Sequence, residues 1–381
     1  MMKKVESTAL GAACALTLLL LASAFALTGV QTGDPGAQAS PAHWWNGVLP
    51  LSTWLMLTAA AAGMLRPAPR PRRTALAAVA ALAGAWLFAQ LPPATGAAPA
   101  AAGFWLVGCA LLLLALVSVR RCAAIEGGRL HTSITAGLFG AWVLTLWQIG
   151  VTAFDVPRVL LPAPLQIMAS FGGQWGTLAG DFVQTVVKAV WFGWLVGSGA
   201  GFLVGVAIDR VPFLQRGLLP LASLTSTVPL VGVAPIAVMW FGFDWPSKAA
   251  VVVLMTFFPM LVATLAGLKA AGRLELELMH SYAASYGRTL MALRLPAAMP
   301  YIFGALKVNA TLALIGAIVA EFFGSPTVGL GFRISTEAAR MNMPLVWAAI
   351  VVAAVTGSLA FTLLVQLERR VAFWHPSVRA P

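Results

Sequence analysis

Ten apolar stretches, each near or above about 18 residues, follow one another along this chain, and that is the length an α-helix needs to cross a bilayer. They fall at approximately 8–30, 48–65, 74–91, 102–119, 132–153, 183–207, 218–241, 249–268, 301–322 and 345–366. The hydrocarbon core holds no water to satisfy backbone N–H and C=O groups, so such runs must close their hydrogen bonds internally, as helices. The predicted fold class is therefore all-α, a polytopic membrane protein of about ten transmembrane helices. Charge agrees: 24 Lys or Arg and 12 Asp or Glu make 9% of 381 residues, against roughly 25% in a soluble domain. A soluble enzyme, a disordered tail protein and a fibrous chain are excluded.

The formal net charge of +12 does not indicate nucleic acid, because membrane proteins concentrate Lys and Arg in their cytoplasmic connections. Lys3 and Lys4 precede the first stretch, Arg66, Arg70, Arg72 and Arg73 follow the second, and Arg120, Arg121 and Arg129 follow the fourth. Connections 31–47 and 92–101 between them contain no basic residue. Continued along the chain, this alternation puts eighteen basic residues on one side and four, Arg158, Lys248, Arg333 and Arg340, on the other. Both termini are thereby expected in the cytoplasm. Lys188 and Lys307 lie inside spans near their ends, where a long stem can snorkel to the interface. Lys3-Lys4, the apolar run and Ala22-Ser23-Ala24 also resemble a cleavable signal peptide, a reading opposed by the extension of the run to Val30.

The chain changes character near residue 125. Residues 1–125 hold four Ala- and Leu-rich spans without intramembrane charge, expected to form an accessory extension. Residues 126–381 hold six spans with Pro, Gly and occasional ionisable groups, where a pathway through the membrane is expected. Segment 154–180, with Pro157, Pro162 and Pro164, is too polar to span and is placed outside, leading into a short interfacial helix.

Soluble-style catalytic constellations are missing. No G-x-x-x-x-G-K-[ST] cradle is present, so nucleotide hydrolysis by this chain is not expected. His43, His131, His280 and His375 are scattered and form no metal-ligand spacing, and Cys14, Cys109 and Cys122 form no CxxC pair, so neither a catalytic residue nor a metal site is assigned. Gly193, Gly197, Gly201 and Gly205 recur every four residues and offer one smooth helix-packing face. Pro229 and Pro235 each remove a backbone donor within one crossing, which makes them candidate pathway-lining positions; Pro259 makes a similar case. Glu321 and Lys307, about 21 Å apart along one helix, are too distant to pair. For Lys307 snorkelling is expected; Glu321 is a candidate gate or a structural hydrogen-bonding group for loop 324–333.

The connection between the eighth and ninth stretches, about 270–298, is long, of helical composition, and ends at Leu295-Pro296. Docking to a soluble partner is the reason such a helix would sit between spans. Here the sequence resembles the transmembrane permease subunits of bacterial binding-protein-dependent ABC importers, whose hallmark is E-A-A-x-x-x-G, nine residues, I-x-L-P. Glu277 takes the glutamate position, Leu278 and Met279 replace the alanines, Ala283 replaces the glycine, Leu293 the isoleucine, and Leu295-Pro296 match. The flanking WFGFDWPSKAAVVVLMTFFPMLVATLAGLK and ALKVNATLALIGAIVAEFFG with GLGFRI look like the nitrate/sulfonate/taurine-type branch. The resemblance covers about residues 132–370 and implies a six-helix permease core.

It also implies a cytoplasmic ATPase docked on the loop, with Glu277, Ala283, Gly287, Leu293, Leu295 and Pro296 as the coupling residues and Leu295-Pro296 as the stop of the docking helix. ATP and Mg would sit on that partner, with no cofactor on this chain. A periplasmic substrate-binding protein and a second permease copy in the bacterial inner membrane complete the implied assembly. SYAAS followed by LRLPAAMPYIFGALKV looks more like permeases for thiamine-precursor pyrimidines or riboflavin than like those for alkanesulfonates, with a sulfonate or nitrate-type anion as the other possibility. An ion-coupled secondary transporter would need paired intramembrane acids and inverted repeats, and Glu321 is the one acid well inside the last six spans. A membrane-embedded enzyme or scaffold would need a polar cluster at one interface.

Overall fold

The computed structural model describes residues 2–25, 28–30, 40–42, 48–65, 71–90, 102–125, 129–211, 230–324 and 327–375. The chain is an all-α polytopic membrane protein. Among the described residues seven helices are long and apolar enough to cross a membrane, and Thr8–Ala22, Leu49–Gly63 and Gly232–Phe241 are shorter apolar helices. Together these fall at the ten expected positions. The β structure among the described residues is one antiparallel pair, β1 (Thr28–Val30) and β2 (Ser40–Ala42), with Thr28 opposite Ala42.

The chain packs as two compact units, Met1–Gln166 and Ile167–Pro381. The first contains α1 (Met2–Ala22), α2 (Val48–Gly63), α3 (Pro71–Gln90), α4 (Ala102–Ala123) and α5 (Arg129–Ala153). Its interior combines small and large side chains: Ala12, Ala15, Ala81 and Ala85 are buried beside Leu19, Leu57, Phe88, Leu111 and Trp142. Small residues let helix backbones approach closely where lipid supplies no hydrophobic drive. The division of packing thus falls beyond α5, because Trp142 and Ile149 of α5 join this core. It does not coincide with the change of composition near residue 125.

Helix α6 (Pro164–Gly173) runs across the division of units, at the position expected for an interfacial helix. In the second unit α7 (Trp175–Phe182), a π-helical stretch Val183–Val190 and α8 (Trp191–Arg210) form one continuous helix of 36 residues. The helix therefore starts well inside the segment expected as loop. Among its buried positions, Asp181, Thr185, Ala189, Gly193, Gly197, Gly201 and Gly205 recur every four residues. On an α-helix of 3.6 residues per turn such a row drifts by about 40° per step. The wider π turn winds part of it back, so acid, hydroxyl and glycines stay on one face.

That face meets α10 (Trp245–Leu268). A Cβ at Gly193 would lie 2.6 Å from Val252 Cβ, and one at Gly205 2.8 Å from Thr264 Cβ; Gly197 and Gly201 press on Thr256 and on the Phe257 carbonyl. Partner numbers rise together, so α8 and α10 run parallel and α9 (Leu230–Phe241) belongs to the return between them. Asp244 caps α10; the Trp245 N–H and the Gln184 side-chain amide, at 2.8 and 2.6 Å, hold its carboxyl below the ordinary carboxylate value. Then follow α11 (Arg273–Ser281), α12 (Tyr286–Thr289), a π turn Leu290–Arg294, α13 (Leu295–Phe323), α14 (Leu330–Ala339) and α15 (Met343–Val371).

Leu295-Pro296 does not stop a helix. Leu295 is helical and the chain is helical from Tyr286 to Phe323. The Leu295 N–H reaches back to the Leu290 carbonyl, five residues away, and this wide turn admits the proline ring without a clash against the carbonyl four residues back.

Candidate functional site

Two polar constructions stand at opposite ends of α13, and a third lies between them. At the Arg294 end, α11 has no buried residue. Leu274, Leu278 and Tyr282, spaced i, i+4, i+8 on one stripe, are 82, 57 and 75% exposed. Glu277 pairs with Arg273 at 3.0 Å in full solvent, a contact worth little on its own. Ala284 N–H bonds the Met279 carbonyl at 3.0 Å and Ala283 N–H the His280 carbonyl at 2.9 Å, which is the Schellman ending of a helix. Ala283 occupies its left-handed position with φ of 49°.

This supplies the physical reason for glycine in the motif: the backbone must turn left-handed there, a conformation that costs any Cβ-bearing residue. Ala283→Gly should therefore stabilise this helix end by about 1 kcal/mol, read as roughly fivefold slower amide exchange at Ala284. Unchanged exchange would contradict the conformational account. Gly287 lies in α12 with open space around its α-carbon, Leu293 is half-buried, and Leu295 packs against the cluster of Met260, Leu268, Ala298 and Ile302.

Arg294, which the motif leaves unspecified, is the best-connected residue of this segment. Its guanidinium forks onto Asp209 at the end of α8, at 2.6 and 2.7 Å, and its Nε donates to the Leu268 carbonyl at 3.0 Å. Tyr286 Oη donates to Asp209 at 3.0 Å. Charge pattern alone matched neither residue to the other.

At the Glu321 end the first N–H groups of α14 lack intrahelical acceptors, as at every helix start. Three other side chains supply them: Gly329 N–H donates to Asp181 Oδ1 (2.8 Å), Leu330 N–H to Thr185 Oγ1 (2.8 Å) and Gly331 N–H to Glu321 Oε2 (2.7 Å). The Thr185 hydroxyl in turn donates a hydrogen bond to Glu321 Oε1 at 2.7 Å, and Arg333 Nε donates to Asp181 Oδ2 at 2.8 Å. Glycine is required at 329, where φ is 144° and a Cβ would lie 2.6 Å from the Glu321 carboxyl carbon. Buried Lys248 donates to the carbonyls of Phe243, Asp244 and Gly324, tying the start of α10 to the end of α13. Glu321 thus makes the structural hydrogen bond to loop 324–333 that was one of its two expected roles.

Lys307 does not end in a snorkel; its Nζ pairs with Glu368 of α15 at 2.8 Å, because α15 brings a carboxylate within reach. Between the two ends Asn309 Nδ2 donates to Ser198 Oγ (2.9 Å) and to the Thr256 carbonyl (2.7 Å), joining α8, α10 and α13. Pro235 lies inside α9, on the exposed face of a continuous helix; Pro229 falls outside the described residues. Beside α9 a groove of about 580 Å³ opens toward α10, with Trp240, Phe241, Phe257 and Phe258 in its lining and no charged group. No set of three or more His, Cys, Asp or Glu able to hold a metal occurs among the described residues.

Residues 197–373 match the family model described as binding-protein-dependent transport system inner membrane component. The chain is similar to the formylaminopyrimidine transport permease protein ThiX of Halalkalibacterium halodurans, 29% identical over 247 residues, 65% of this chain and 98% of the relative. It is also similar to the riboflavin transport system permease protein RibX of Chloroflexus aurantiacus, 28% identical over 62% of this chain and 88% of the relative. With the taurine transport system permease protein TauC of Escherichia coli the identity is 28%, over 63% of this chain and 89% of the relative.

Proposed function

Because the chain belongs to the permease subunits of binding-protein-dependent ABC importers, in the nitrate/sulfonate/taurine branch, we propose that it forms the translocation pathway of an ATP-driven importer and is coupled to its ATPase through segment 270–298. It is a multi-pass protein of the inner membrane. Both termini and α11 face the cytoplasm in this reading, as the eighteen-to-four distribution of basic residues requires. The observation that carries the reading is the stripe Leu274, Leu278 and Tyr282, exposed on a short helix that none of the described residues buries. A membrane-external helix presenting leucines at i, i+4 spacing has the form of a helix that seats in a groove of another protein.

ATP and Mg belong to that partner, since this sequence contains no phosphate-cradling loop. A periplasmic binding protein delivers the solute and a second copy of the chain completes the pathway, while residues 1–125 form an accessory extension. The solute in this reading is a thiamine-precursor pyrimidine or riboflavin before a sulfonate- or nitrate-type anion, as the likeness to ThiX and RibX supports. An ion-coupled transporter is disfavoured by Glu321, whose two oxygens are both engaged in holding α14.

The test is co-purification with the cognate ATPase. The chain alone should hydrolyse no ATP, and Leu274→Glu with Leu278→Glu should lower captured ATPase about tenfold at unchanged membrane level, since both side chains are exposed. Hydrolysis by the chain alone, or full capture by the double variant, would refute the assignment.

A further inference from the structure

Helix α11 has no buried residue, so among the described residues its displacement reaches the membrane helices chiefly through the two ends of its segment. One end leaves α10 at Leu268. The other enters α13 through α12 and the π turn. Arg294 closes both ends at once: its fork holds Asp209 of α8 at 2.6 and 2.7 Å, and its Nε holds the terminal carbonyl of α10 at 3.0 Å. The side chains of Asp209 and Arg294 are only 6 and 16% exposed. Tyr286 of α12 donates to the same carboxylate at 3.0 Å, and the Arg210 guanidinium carbon stands 5.7 Å from the Tyr286 ring centroid. Asp209 therefore receives two guanidinium N–H donors and one phenol, from two elements of the segment. A bidentate guanidinium–carboxylate pair fixes orientation as well as distance, which an ammonium cannot do.

We propose that Asp209 and Arg294, supported by Tyr286, are positioning residues for transport: the joint through which displacement of α11 moves the ends of α8 and α10 and the start of α13 as one body. The proposal rests on the reading of 270–298 as the coupling segment. Among the described residues, 282–285 between α11 and α12 make no side-chain bond to α8, α10 or α13, the Ser285 hydroxyl serving its own helix start, so a weakened joint lets α11 move on its partner without carrying α8. Neither side chain contacts solute or ATPase in this scheme; their effect is on the ratio of transport to hydrolysis.

The experiment uses the full chain with its cognate ATPase and binding protein in proteoliposomes, measuring captured ATPase, ATP hydrolysis and solute uptake. Asp209→Asn and Arg294→Lys should capture ATPase as the wild type does and hydrolyse ATP within about twofold of it, with uptake per ATP falling about tenfold. Tyr286→Phe, which removes one hydroxyl and keeps the ring near Arg210, should lower uptake per ATP by about twofold to threefold and guards against a folding defect in the other two. Asp209→Arg combined with Arg294→Asp should recover part of the loss. Wild-type uptake per ATP in all three single variants, or uptake and hydrolysis falling in proportion, would overturn the joint while leaving the coupling segment in place. Failure of the wild-type chain to capture ATPase would overturn the coupling segment and the joint with it.

Discussion

Gly197→Leu is expected to prevent accumulation of a folded second unit, Ile167–Pro381. A Cβ at this position would lie 2.6 Å from the Val253 carbonyl oxygen and 2.9 Å from Val253 Cα, with the Thr256 hydroxyl closer still. Two of those are backbone atoms of α10, which cannot rotate away as a side chain can. Overpacking of a close-packed interior costs about 1–3 kcal/mol, and a leucine at a helix–helix contact with no room for its first carbon belongs at or above the upper end. Because α8 and α10 run parallel along four such glycines, relief at one contact requires separation at its neighbours. Gly199, two residues away, has nothing within 4 Å of its would-be Cβ, so Gly199→Leu is the matched control. Size-exclusion of a fluorescent fusion should show an aggregated Gly197→Leu and a monodisperse Gly199→Leu. Equal profiles for the two would mean that the four-residue row is not the seam between α8 and α10.

Glu321→Leu is expected to destabilise the same unit through an unrelated mechanism. The carboxylate receives the Thr185 hydroxyl at 2.7 Å and the Gly331 N–H at 2.7 Å. Leucine leaves the buried Thr185 hydroxyl and Gly331 N–H without an acceptor, and each unsatisfied buried donor costs about 1–3 kcal/mol, or about 2–6 kcal/mol for the two. Glu321→Gln is the instructive companion. Glutamine keeps one acceptor oxygen but turns an amide N–H toward one of the two donors, so its loss should be smaller, about 1–3 kcal/mol. Thermal unfolding in detergent should rank wild type above Glu321→Gln above Glu321→Leu. A Glu321→Leu protein that melts with the wild type would show that α14 holds its place without the carboxylate.

The number of crossings, the long connection before α13 and the glycine row were all legible from residues 8–366 because each is a local property. Hydropathy sums over about 20 neighbours decide whether a segment enters a bilayer, and a four-residue spacing of glycines decides which face of that helix is smooth. The motif around Glu277 was legible for the same reason, although the geometry behind its glycine position was not. Only the φ of Ala283 in the folded chain reveals that the backbone turns left-handed there.

What stayed hidden was every pairing of distant polar groups. Asp209 meets Arg294 across 85 residues, Thr185 meets Glu321 across 136, and Gly329 meets Asp181 across 148. Lys307 read as a residue free to snorkel until α15 placed Glu368 beside it. Leu295-Pro296 read as a helix stop until a π turn absorbed the missing N–H. Sequence by itself determined that these helices are buried in lipid and which of them carry polar atoms, since transfer from water to hydrocarbon is set by composition segment by segment. The tertiary structure alone decided which polar atoms satisfy one another, because a hydrogen bond depends on about 3 Å in space and is indifferent to separation along the chain.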